Sequence, residues 1–188
     1  MRNRLVVMLI AAIGCSTATL PMPFELSPAE IQTARDLAEV HGPMAHLLRP
    51  EGTGTDRVVF VKIELLPEMR PGDRQAMLQH YRYVDDSTIF THVDLVTATV
   101  VDTQIEPHYP TGLADEEIAR ARQLVHDDPP ARAVTEGLTL LPRPRQVTAT
   151  DPMRHHRVVE FLLRRGQESV ISPTVLVDLS ESRVDIRE

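Results

Sequence analysis

The chain reads as α+β: two tandem units, each one helix packed on a three- to four-stranded antiparallel sheet. Three observations predict it. First, one stretch of sequence recurs: Leu26, Glu30, Ile31, Ala34, Arg35 and Leu37 return as Leu113, Glu117, Ile118, Ala121, Arg122 and Leu124, each pair 87 residues apart. Second, Val93-Asp94-Leu95 with Val100 returns as Val177-Asp178-Leu179 with Val184 at an offset of 84. A short difference in loop length accounts for the two offsets. Third, within each copy the apolar period passes from the helical spacing to the alternation of a strand with one wet face.

The first 14 residues contain Arg2 and Arg4 and then a charge-free run from Leu5 to Ile13, as in a secretory leader too short to span a bilayer. Ala12-Ile13-Gly14-Cys15 resembles the lipobox of bacterial lipoproteins, so residues 1–14 are expected to be a signal peptide, Cys15 the lipidated residue and 15–23 a tether. Conventional cleavage near Ala18 is the alternative, and it would leave a soluble product. Either route predicts export, the first with a lipid anchor in the cell envelope.

The first unit is expected over 24–104, a linker over 105–112 and the second unit over 113–188. Ser27-Pro28-Ala29-Glu30 is a capping box with proline at the first helical position. Ile31, Ala34, Leu37 and Ala38 form the apolar face behind it, and Gly42-Pro43 ends the helix. A short helical turn is expected near residues 44–48. Strands are expected over 57–66, 75–84 and 90–103, with a hairpin turn at Asp85-Asp86-Ser87-Thr88. In the second unit Asp115-Glu116-Glu117 open a helix that Pro129-Pro130 should stop. Strands follow over 146–150, 155–163 and 169–179, the last extending to 186, with Arg165-Gly166-Gln167 as the hairpin turn. Further breaks are expected at 66–73 and 141–145.

Composition excludes several functions. Lys and Arg number 20 against 27 Asp and Glu, a net charge of −7, so a general nucleic-acid binder is not expected. A single cysteine excludes an internal disulfide and a multi-cysteine zinc site. No Gly-x-Ser-x-Gly elbow or phosphate-binding loop of the Walker type occurs. His155 and His156 are adjacent, and on a strand they would face opposite ways. His80 and His92 belong on neighbouring strands. No metal site and no cofactor is expected from these histidines. The carboxylate pairs Asp85-Asp86 and Asp127-Asp128, and the repeated Asp94 and Asp178, fall at expected turns and helix ends, where Asp satisfies backbone groups. No catalytic residue is expected. A local excess of positive charge around Arg154, His155, Arg157, Arg164 and Arg165 is the expected partner-binding surface, with Leu65, Val100 and Val101 as strand-edge positions to consider.

The ordered series of features resembles the two cystatin-like amino-terminal domains of copper amine oxidases. It is carried by Leu26-Ser27-Pro28-Ala29-Glu30-Ile31, His92-Val93-Asp94-Leu95, Glu116-Glu117-Ile118-Ala119-Arg120-Ala121, Asp127-Asp128-Pro129 and Val175-Leu176-Val177-Asp178-Leu179. Export-linked modules of the PepSY type share a similar helix and ending. In the oxidases, the resemblance implies, copper is held by a His-x-His pair and a distant histidine, and a tyrosine after asparagine becomes the quinone. This chain has no His-x-His, and its only asparagine is Asn3. The expectation is a non-catalytic envelope lipoprotein that binds another protein. Alternatives are an accessory subunit of a separately encoded amine oxidase and a carrier of a small molecule or metal. The partner expected is an unidentified envelope protein, with the membrane reached through Cys15; pairing with a second copy of the chain stays open.

Overall fold

A computed structural model describes residues 25–42, 45–48, 57–67, 72–145 and 150–188. The expected leader, Cys15 and the strand expected over 146–150 lie wholly or almost wholly outside them. The architecture is two units of helix and four-stranded antiparallel sheet in sequential order, β1-β2-β3-β4 and β5-β6-β7-β8.

In the first unit, helix α1 (Pro28–Asp36) starts at the expected capping box: Glu30 N–H donates to Ser27 Oγ at 3.3 Å, and Ser27 N–H donates to Glu30 Oε2 at 2.8 Å. A π-helical turn (Leu37–His41) carries it to Gly42. After α2 (Ala45–Leu48) come β1 (Val58–Leu65), β2 (Gln75–Arg82), β3 (Ser87–Asp94) and β4 (Thr99–Pro107). Ala34, Ala38 and Leu48 pack on Val58, Ala76, Leu78, Ile89 and Val93, which alternate along their strands as one apolar face.

The stretch 90–103, expected as one strand, is broken in two, and β4 runs on into the expected linker. Asp94 causes the break: its Oδ1 accepts the N–H groups of Val96 and Thr97 at 2.8 and 3.0 Å, folding the chain back, and Ala98 completes the turn with φ 52°. The second unit repeats this device, with Asp178 Oδ1 accepting from Ser180 and Glu181 at 3.0 Å and Ser182 at φ 56°. The repeated Val-Asp-Leu therefore marks a turn.

Helix α3 (Asp115–Asp127) opens the second unit, followed by α4 (Pro129–Thr135). Helix α3 ends before the proline pair, as expected, and the pair then starts a new helix. Proline at the first helical position loses no hydrogen bond, and Asp128 caps the turn by accepting Ala131 N–H at 2.8 Å. Sheet strands are β5 (Thr139–Pro144), β6 (Val158–Arg165), β7 (Glu168–Asp178) and β8 (Arg183–Arg187). β5 occupies the expected break at 141–145; as an edge strand, it tolerates Pro142 and Pro144. β6 starts after His155 and His156, which stand in the preceding loop instead of on opposite strand faces.

The two units share their largest apolar cluster. Val59, Tyr81 and Tyr83, from the face of the first sheet turned away from α1, join Ala121, Val125, Val159, Phe161 and Val177 of the second unit. A duplicated ion pair shows what that contact does. Glu30 pairs with Arg74, immediately before β2, and Arg74 Nη2 also donates to Glu25 O. At the equivalent positions Glu117 pairs with Arg157 at 2.8 Å, immediately before β6, and Arg157 Nη2 donates to Gly112 O. The first pair is about a quarter exposed; the second is 7% and 0% exposed, because Tyr81 and Tyr83 cover it.

Removing one partner of a buried ion pair leaves the other charge uncompensated. Arg157→Ala should therefore destabilise the protein by about 3–5 kcal/mol, and Arg74→Ala by under about 1 kcal/mol, as read from urea-unfolding midpoints. Equal losses would refute the assignment of the buried copy as the dominant one.

Candidate functional site

Where the units meet they leave a cleft of about 1010 Å³. Its base is the buried ion-pair network. Glu117 accepts four hydrogen bonds: from Tyr83 Oη at 2.6 Å, Arg157 Nε at 2.9 Å, Arg157 Nη2 at 2.8 Å and Ala114 N–H at 2.8 Å. Arg157 also donates through Nη1 to Thr111 O at 3.2 Å and lies 4.3 Å from the centre of the Tyr81 ring. Burial would lower the pKa of Arg157, but the Glu117 carboxylate outweighs it and raises the value. Burial, and then Glu117, push the Tyr83 hydroxyl well above the ordinary phenol range; burial and Asp86 do the same for Tyr81. Both hydroxyls therefore serve as donors.

Three polar side chains converge at the rim: Asp86, His108 and His155 each place one donor atom within 4.8 Å of the others. They come from three places in the chain. Asp86 follows the 3-10 turn Tyr83–Asp85 in the β2–β3 hairpin, His108 follows β4, and His155 precedes β6. Asp86 accepts from Tyr81 Oη at 2.6 Å through Oδ1 and contacts His108 Nδ1 at 2.9 Å through Oδ2. The His108 N–H donates to Asp86 O at 2.7 Å. Asp86 and His108 both have left-handed backbones, φ 50° and 55°. His155 lies 4.9 Å ring to ring from His108, and Arg154 Nε donates to its Nε2 at 2.9 Å.

The residues named from the sequence as a basic surface divide. Arg154 and His155 line the cleft. Arg157 is turned inward into the network. Arg164 and Arg165 sit at the β6–β7 hairpin, at the other end of the strand from His155. Neighbouring cations are neutralised locally: Arg143 by Glu160 at 2.8 Å, Arg145 by Asp151 at 2.6 Å, and His156 contacts Asp178 at 2.6 Å. His80 and His92 lie on opposite faces of the first sheet. His80 is buried against Glu39 at 3.1 Å, whereas His92 pairs in register with Met77 and faces away from α1.

Beside the contact with the second unit, this outer face of the first sheet stays open. A groove of about 330 Å³ is lined there by Met77, Phe90, His92, Asp102, Gln104, Glu106 and Tyr109. Phe90 and Tyr109 stack edge to face at 5.0 Å and form its floor. Along one side runs β4, an edge strand of nine residues. Val101 has no partner on β3, because His92 pairs with Asp102 and Val93 with Val100.

Sequence reading missed the rim cluster because its members are 22 and 47 residues apart and belong to different units. The Glu117–Arg157 pair had a signal: arginine stands before β2 and before β6, matching the repeated glutamate. No model of a known protein family matches the chain, and neither does any curated protein.

Several surface carboxylates are held acidic by their hydrogen bonds. Arg74 first, and then Ser27, hold the Glu30 pKa down to about 2, from 4.5. Such a group adds stability above its unfolded pKa, and the contribution is lost as pH falls through the folded value. Stability should thus drop between about pH 4.5 and about pH 2, and Glu30→Gln should flatten that slope in urea titrations at successive pH values. An unchanged slope would remove Glu30 from the account.

Proposed function

We propose that the protein is a non-catalytic, exported interaction module of the cell envelope, anchored through lipidated Cys15, that receives an extended segment of another envelope protein along β4. The duplicated helix-and-sheet architecture is consistent with the resemblance to the cystatin-like amino-terminal region of copper amine oxidases, and that resemblance supports a scaffold without its own chemistry.

The observation that carries the reading is the contrast among the four sheet edges. β5 is blunted by Pro142 and Pro144; β8 has five residues with charges at Arg183, Asp185 and Arg187; β1 is bulged between Phe60 and Lys62 and carries Lys62 and Glu64. β4, nine residues long, is also bulged at Val101 and ends in Pro107, but its stretch from Asp102 to Glu106 is free of proline and lysine and lies beside the groove. A free edge of this kind adds a strand through backbone hydrogen bonds, while a groove beside it selects side chains. The aromatic floor suits an apolar side chain, and Asp102 and Glu106 suit Lys or Arg on alternate positions.

Selection of displayed random peptides on the full chain in detergent tests this. Enriched peptides should alternate apolar and basic residues. Asp102→Lys with Glu106→Lys, both exposed positions, should weaken them by about tenfold or more. No enrichment, or binding indifferent to that double variant, would overturn the reading.

A further inference from the structure

We infer that Asp86, His108 and His155 form a three-ligand site for a divalent late transition-metal cation, with zinc as the reference ion. The site lies in the cleft between the units, apart from the β4 edge, and stands independently of the docking reading.

The donor set carries the chemistry. Two imidazoles and one carboxylate, with no thiolate, suit zinc, copper or nickel and fit poorly the all-oxygen preference of magnesium and calcium. One donor atom of each side chain already lies within 4.8 Å of the others, and the Asp86–His108 contact is 2.9 Å. Ligands sharing one zinc ion at 2.0–2.2 Å stand roughly 3–4 Å apart, so the cation would replace the proton shared by His108 Nδ1 and Asp86 Oδ2, which part slightly from 2.9 Å, while the exposed His155 side chain closes in. The carboxylate is already oriented, because Tyr81 Oη donates to Asp86 Oδ1 at 2.6 Å, leaving Oδ2 directed at the histidines. Such outer hydrogen bonds fix ligand direction at metal centres.

The backbone at two of the ligands is compatible with the site. Asp86 and His108 both have a positive φ, an arrangement uncommon outside glycine. The equivalent hairpin of the second unit uses Gly166 at φ 62°. Asp and His adopt this conformation more readily than other side-chain-bearing residues, so both turns hold a potential ligand without unusual strain. The remaining left-handed non-glycine residues, Ala98 and Ser182, are explained by the duplicated Asp94 and Asp178 turns.

Arg154 sets the terms of binding. Its Nε donates to His155 Nε2, so that lone pair is engaged and Nδ1 carries the proton. A cation must displace the guanidinium from Nε2 or the proton from Nδ1. The three ligands span both units, with Asp86 and His108 on one side and His155 on the other, so the ion would tie them across the cleft. Three protein ligands would leave a fourth position on a tetrahedral zinc for water or for a donor from a second molecule.

The test is equilibrium dialysis of the untagged full chain in detergent against zinc, on a Cys15→Ser background that removes the competing thiol, together with thermal unfolding with and without zinc. The expected result is one zinc per chain, a higher Tm, and affinity in the order copper above zinc above manganese. His108→Ala and His155→Ala, both exposed positions whose folding is checked by circular dichroism, should each weaken zinc by more than about tenfold. His46→Ala, at an exposed position on α2 outside the cleft, should leave binding unchanged. Arg154→Ala should tighten it, a result that a merely structural role for the cluster would not produce. Absence of stoichiometric zinc, binding retained in the His108→Ala/His155→Ala double variant, or equal binding of magnesium would each overturn the assignment.

Discussion

Glu117 and Arg157 are the interaction on which the rest of the molecule depends. Two opposite charges withdrawn from water need excellent geometry and full hydrogen bonding to compensate for lost solvation. Here the carboxylate has four donors, and the guanidinium reaches the carboxylate, two backbone carbonyls and an aromatic face. The consequences run outward from that pair. It closes the first turn of α3, fixes the chain at Thr111 and Gly112 between the units, and holds the start of β6. Tyr83 brings the first unit onto it, so the contact between units is specified by a hydrogen bond as well as by apolar burial.

The same pair in the first unit illustrates how duplication diverges. Glu30 and Arg74 keep the geometry and even the equivalent backbone acceptor, yet they face solvent, where an ion pair contributes little. Only what covers the pair has changed. In the second unit the cover is the first unit's β2 end, with Tyr81 and Tyr83 stacked edge to face at 5.0 Å. Tyr81 does double duty: its ring covers Arg157 and its hydroxyl directs Asp86 toward the cleft rim.

The β4 groove and the cleft rim are physically unlike. On β4 the unfilled valences are backbone groups along a strand edge, beside an aromatic floor with acidic neighbours, which matches an extended polypeptide. At the cleft rim, imidazole nitrogens and a carboxylate oxygen are bonded to one another and to Arg154, and a cation would have to replace those hydrogen bonds. Of the basic residues gathered there in sequence, Arg157 is turned inward onto a carboxylate, and the neighbouring Arg143 and Arg145 also meet carboxylates. A run of charge in sequence is not a field in space until its counter-charges are located.

Local signals settled much of this protein. The capping box at Ser27, the apolar spacing of Ala34 and Ala38, the strand alternation and the repeat are all properties of short segments, and they sufficed for two units of helix and antiparallel sheet. Boundaries escaped where one side chain overrides propensity. Asp94 turns the chain inside a run rich in strand-forming residues, and Pro129 starts a helix because its missing amide falls where none is needed. The candidate sites were less legible. Glu117 and Arg157 lie 40 residues apart, and Asp86, His108 and His155 come from both units. Only the packing of one sheet's outer face on the next unit's core decides that they meet, since that packing depends on apolar area and shape, not on any local pattern. The sequence by itself determined the repeated scaffold; the tertiary structure decided which copy of the ion pair is buried and which polar groups converge around it.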